Sequence, residues 1–116
     1  MQQRITLLGA TGSIGTQTLA VMAEHPERYD VFALVAGNNW RLMAEQCQEW
    51  QPQHAVMACE EAAGALRQTL REQGLATEVH HGVEAMVQMA KHAEVDTVVA
   101  AIVGAQGMYP TLAAVE

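Results

Sequence analysis

The sequence is short of positive charge. Six Lys and Arg stand against thirteen Asp and Glu, giving a net charge of -7. Nucleic acid and anionic membrane surfaces are bound through clustered Lys and Arg, so neither is expected as a partner. Aromatic residues make up only 4% of the chain. Cysteine is almost absent: Cys47 and Cys59 stand alone, without metal-type spacing, as expected of thiols in a reducing compartment. No apolar run approaches the roughly 20 residues that a membrane span needs. Met1–Arg4 leads into a strand pattern without a signal-type cleavage site, so a cytoplasmic protein is expected.

What is present is a small-aliphatic core. Of the 116 residues, 50% are hydrophobic, mostly Ala, Val, Leu and Met. These pack helices against a parallel sheet, and the length suits one domain. Short apolar runs alternate with helical stretches. Ile5–Leu8 ends at Gly9 as a buried strand should. Ile14–His25 follows as a helix, with Ile14, Thr18, Val21 and Met22 predicted on its inner face and Pro26 closing it.

Val31–Ala36 is the second strand, and Asn39 is a good cap for a helix whose stripe is Trp40, Met43, Cys47 and Trp50. His54–Ala58 reads as a third strand. Glu60–Glu72 is helical, with Ala62, Ala63, Leu66 and Leu70 inward and Gly74 as its stop. Thr77–His80 is a weaker strand, and Val83, Met86, Val87 and Ala90 mark a helix. Val95–Val103 is a further strand, and Pro110 suits the first turn of a final helix. This alternation predicts an α/β fold, a Rossmann-like doubly wound parallel sheet in three αβα layers.

Between the first strand and helix lies Gly9-Ala10-Thr11-Gly12-Ser13-Ile14-Gly15. The spacing G-x-x-G-x-x-G is a variant of the dinucleotide fingerprint with one extra residue in its first gap. Gly9 turns the chain, Gly12 lets a diphosphate reach the backbone, and Gly15 lets helix and strand pack closely. The helix N-terminus then supplies free N–H groups and a positive dipole end. That is the local anion site an acidic protein needs. No Lys follows the last Gly, so the motif is not a P-loop.

NAD-binding versions place a carboxylate at the end of the second strand. Here that strand ends Ala36-Gly37-Asn38-Asn39. Without a carboxylate to repel a 2′-phosphate, NADP is favoured. The amides of Asn38 and Asn39 are candidate donors, and Arg41 is the nearby cation.

Three stretches together resemble the 1-deoxy-D-xylulose 5-phosphate reductoisomerase family. They are Leu7–Gly15, Ala33–Asn39, and Ala100–Gly107 leading to Pro110-Thr111-Leu112. The first is shared with other enzymes; the second and third, in this order, are more specific. The resemblance implies an NADP-dependent oxidoreductase converting 1-deoxy-D-xylulose 5-phosphate to 2-C-methyl-D-erythritol 4-phosphate, in the non-mevalonate route of isoprene biosynthesis. It implies NADPH contacts at Thr11, Gly12, Ser13 and Ile14, and at Gly37, Asn38 and Asn39, with Ile102 near the nicotinamide. Many members carry Lys or Arg where this chain has Asn38, which implies a less strict preference for NADPH here. The resemblance also implies a divalent metal, Mg or Mn, a sugar phosphate substrate and a homodimer. Its metal-binding carboxylates and Asn-Lys-Glu-Ser segment lie downstream of the late-strand block. Residues 1–116 are therefore expected to be a dinucleotide-binding domain truncated before the catalytic domain, and catalytically silent alone.

Nothing in the chain replaces that machinery at the level of sequence. His80 and His81 are adjacent, so on a strand they point to opposite faces. His25, His54 and His92 are scattered singly and read as surface or capping residues, and Glu60-Glu61 read as favourable charges at a helix start. No metal ligand set and no catalytic group is expected. Two rival readings remain: an aspartate-semialdehyde-type dehydrogenase, for which Cys47 and Cys59 lie too early to be catalytic, and a free-standing nucleotide-sensing domain.

Overall fold

The structure, a computed structural model, describes residues 3–92 and 95–100, together with the backbone of 111–114. The order is β1 (Gln3–Leu8), α1 (Ser13–Met22), β2 (Tyr29–Val35), α2 (Trp40–Trp50), β3 (His54–Met57), α3 (Glu60–Glu72), β4 (Glu78–His81), α4 (Val83–Lys91), β5 (Thr97–Ala100) and β6 (Thr111–Ala114). The sheet runs β4-β3-β2-β1-β5-β6. Its pairings are parallel except β5 with β6, which is antiparallel.

Right-handed crossovers decide which face each helix covers. The chain steps outward from β1 to β4, so α1, α2 and α3 share one face. Their Leu19, Met22, Met43, Cys47, Leu66 and Leu70 pack on Ile5, Leu7 and Leu34 in one core cluster. α4 carries the chain back across the sheet to β5 and so takes the other face, where Met89 packs with Phe32, Val35, Val56 and Val98. The strand order reverses between β1 and β5. Such a switch point, at the carboxyl ends of the strands, is where ligands of open α/β sheets bind.

The expected three-layer doubly wound sheet is found, with three local differences. On α1 the buried residues are Gly15, Leu19 and Met22, while Val21 is 61% exposed. The close approach of Gly15 to the loop before it sets the helix rotation, overriding the larger side chains. On α4, Val83 and Val87 face outward and Met89 is the buried anchor. β5 covers Thr97–Ala100, and the predicted continuation through residues 101–103 lies outside the described residues. Thr111–Ala114, expected in a helix, forms β6. The edge of β5 offers unpaired backbone donors and acceptors, and pairing with them outweighs a modest helix propensity over four residues.

Candidate functional site

The loop from Gly9 to Gly15 is pinned from both sides. The N–H groups of Gly9 and Ala10 both donate to the Val35 carbonyl, at 2.8 and 2.9 Å. The start of the loop is thereby tied to the end of β2. Gly9 has φ 81°, a left-handed conformation that favours glycine. From α2, the buried Gln46 donates Nε2 to the Ala10 carbonyl at 2.7 Å, holding the loop from beneath. Its Oε1 is buried without a hydrogen-bond partner among the described residues.

The other two glycines have different reasons to be there. A Cβ on Gly15 would overlap the Gly9 carbonyl and lie 2.8 Å from the Ala10 backbone, so the fold itself demands glycine. A Cβ on Gly12 would meet only the Gly9 carbonyl, at an ordinary 3.5 Å. Gly12 is extended, with φ -75°, so neither strain nor protein contact requires a glycine. What its missing side chain leaves open is the approach to the helix end.

That end has the character of an anion site. Gly12 caps α1 with no side-chain hydrogen bond, and the first turn carries no acid. Among the described helices α1 alone lacks both: Asn39 caps α2 through Leu42 N–H at 3.2 Å, α3 opens with Glu60 and Glu61, and α4 has Glu84. The amides of Ser13, Ile14 and Gly15 have no intrahelical acceptor by helix geometry, and the dipole adds about half a positive charge. Thr11 is half-buried beside them, and Gly12 and Ser13 are exposed.

The second loop leaves the neighbouring strand at the same sheet edge, because Leu8 and Val35 are register partners. Gly37, Asn38 and Asn39 are all exposed there. Asn38 accepts the Cys59 thiol at 3.3 Å through Oδ1, which leaves its Nδ2 hydrogens for a ligand. Asn39 spends its Oδ1 on the cap. Arg41 is exposed and lies 5.1 Å above the Trp40 ring. No carboxylate reaches this edge from β2: Asp30 is within β2 but near its other end, 3.8 Å from Arg4. Ile102 lies outside the described residues, although Ala100 is level with Leu8, so β5 also delivers its chain to this edge.

The two cysteines differ: Cys59 is exposed and hydrogen-bonded to Asn38. Cys47 is in the core, and burial pushes its thiol up to about 12. The histidines hold a surprise. His80 and His81 do diverge, but His80 meets His54 from the next strand, with Nδ1 of His54 3.0 Å from Nε2 of His80 and Glu78 beside both. Parallel register brings them together across 26 residues of sequence. Sequence reasoning missed this cluster, and it missed the buried role of Gln46. Only the register that pairs His54 with Glu78 brings them together, and strand patterns starting at His54 and Thr77 are one residue out of it.

A family model described as 1-deoxy-D-xylulose 5-phosphate reductoisomerase matches residues 5–116. The reductoisomerase of Cellvibrio japonicus is 55% identical over 114 residues, which are 98% of this chain and 29% of that protein. That of Glaesserella parasuis is 50% identical over the same shares. The chain thus spans less than a third of the length of these relatives. Among solved structures, a DOX-P reductoisomerase in complex with NADPH, fosmidomycin and magnesium superposes with TM-score 0.83 at 38% identity, covering 90% of this chain and 26% of that one. The Zymomonas mobilis enzyme in complex with NADPH gives 0.81 at 34%, covering 92% and 27%.

Proposed function

Because the chain belongs to the 1-deoxy-D-xylulose 5-phosphate reductoisomerase family, we propose that residues 1–116 are an NADPH-binding unit of that enzyme. The observation that carries the reading is the uncapped, acid-free start of α1 behind a glycine the fold does not need. Amides of Ser13, Ile14 and Gly15 donate to the diphosphate, Gly12 admits it, and the Thr11 and Ser13 hydroxyls add donors. Gly37, Asn38 and Asn39 receive the adenosine end, with Asn38 Nδ2 as donor to the 2′-phosphate. The absence of a carboxylate from that edge removes the repulsion that would select NADH.

When bound, NADPH supplies the hydride for reduction of a sugar phosphate. This chain's part is orientation: α1 grips the diphosphate and the second loop the adenosine end, so that the nicotinamide half points past the carboxyl end of β1. In the whole enzyme the product is 2-C-methyl-D-erythritol 4-phosphate, and the enzyme is a cytoplasmic homodimer. The magnesium named for the solved relative finds no carboxylate cluster at this sheet edge among the described residues. Among those residues no helix is long and apolar enough to cross a membrane.

Fluorescence titration of the chain with NADPH, against NADH, tests the reading. NADPH binds more tightly, Gly12→Val weakens it by at least about tenfold with little loss of stability, and no substrate is turned over. Equal affinity of Gly12→Val and the unaltered chain for NADPH would remove the loop from the site.

A further inference from the structure

The sheet edge opposite the phosphate loop carries a second constellation, built from β3 and β4. His54 opens β3 and Glu78 opens β4, and the two are register partners. His80 lies two residues beyond Glu78, so the three side chains share one face of the sheet. His54 and His80 are half-buried, with side chains 17% and 34% exposed, while Glu78 is 69% exposed at the rim. Phe32 packs its ring 5.0 Å from that of His54 and restricts how the imidazole can turn. An open cleft bordered by Pro52, Gln53, Leu75 and Thr77 reaches His54 and Glu78 from solvent.

The geometry points to a transition-metal site in which His54 Nδ1, His80 Nε2 and Glu78 Oε2 are the ligands of a divalent ion, zinc being the best fit. The three atoms form a triangle with edges of 3.0, 3.5 and 3.8 Å. Ligands at zinc distances of about 2.0–2.1 Å in a tetrahedron are about 3.4 Å apart, so shifts of a few tenths of an ångström seat the ion. The carboxylate on the exposed rim balances part of the charge, and water from the cleft fills the fourth position. Two imidazole nitrogens select zinc, nickel, copper or cobalt over magnesium, so this is not a site for the magnesium of the solved relative. β4 is an edge strand held in the sheet through β3 alone. An ion bridging His54 to Glu78 and His80 ties that edge down, independently of nucleotide binding.

The test uses the chain without a histidine tag, stripped by chelator and titrated calorimetrically with zinc chloride. One zinc per chain is expected, with a rise in melting temperature and no response to equimolar magnesium. Glu78→Gln and His80→Gln should each weaken zinc binding by at least about tenfold, since losing a ligand costs more than losing a ligand's support. NADPH affinity should be unchanged in both. Glu78 is at the surface, so its variant stays folded and keeps the test decisive if His80→Gln does not. Zinc bound equally well by Glu78→Gln and every folded His80 variant, or no zinc bound at all, overturns the proposal.

Discussion

Helices α1 and α3 lie in the same layer of the molecule and begin in opposite ways. α3 opens with Glu60 and Glu61, whose carboxylates meet the positive end of their own helix. α1 opens on Gly12, with neither acid nor capping side chain. A helix whose start serves only the fold supplies its own partner there. One whose start is left bare, at the switch point of the sheet, keeps its free N–H groups and positive potential unspent, as the proposed nucleotide site requires. The contrast recurs within the loop itself, where packing imposes Gly15 and leaves Gly12 unexplained by anything in the fold.

The largest effect should come from the packing side of this comparison. Gly15→Val forces a side chain into the backbone of Gly9 and Ala10, and should destabilise the fold by about 3 kcal/mol or more in denaturant melts. A stable Gly15→Val variant would erase the distinction between the two glycines. Gly12→Asp sharpens it by moving two readouts in opposite directions. Aspartate caps and charges the start of α1 as the glutamates do for α3, raising stability by a few tenths of a kcal/mol. The same charge faces the nucleotide diphosphate and should weaken NADPH on the order of a hundredfold. Parallel changes in stability and affinity would mean that the bare helix end is a defect of packing instead of a site.

Smaller effects probe α2, which sits between the two extremes. Asn39→Ala removes the cap on Leu42 N–H and should cost about 1 kcal/mol in the same melts. An unaltered midpoint would show that the amide does not serve the helix. The smallest effect is the pH dependence from Cys47, whose thiol is raised by burial from 9.0 to about 12. Below pH 9 the thiol is neutral in both folded and unfolded chains and contributes no slope. Between 9 and 12 only the unfolded thiol ionises, so stability falls as pH rises. Comparing the slope with Cys47→Ala isolates this contribution, and identical slopes would refute it.

The sequence was most legible where periodicity and punctuation agree. Glu60–Glu72 was bounded by its acidic start and Gly74, and its inner residues Ala62, Ala63, Leu66 and Leu70 are those buried in the structure. The cap at Asn39 and the strand before Gly9 were equally plain. Reading failed where a long-range contact outvoted local pattern. Gly15 rotated α1 so that Leu19 replaced Val21 on the inner face, and pairing with β5 made a strand of Thr111–Ala114.

By itself, the order of residues determined the α/β alternation, the glycine-rich turn and the absence of acid after the second strand, because each depends on neighbours within a few positions. Only the tertiary structure decided which glycine serves packing and which stands open, that Gln46 holds the loop from beneath, and that His54 and His80 meet. Those relations join residues 6, 36 and 26 positions apart. Register and crossover geometry bring them together, and no local pattern in the chain encodes either.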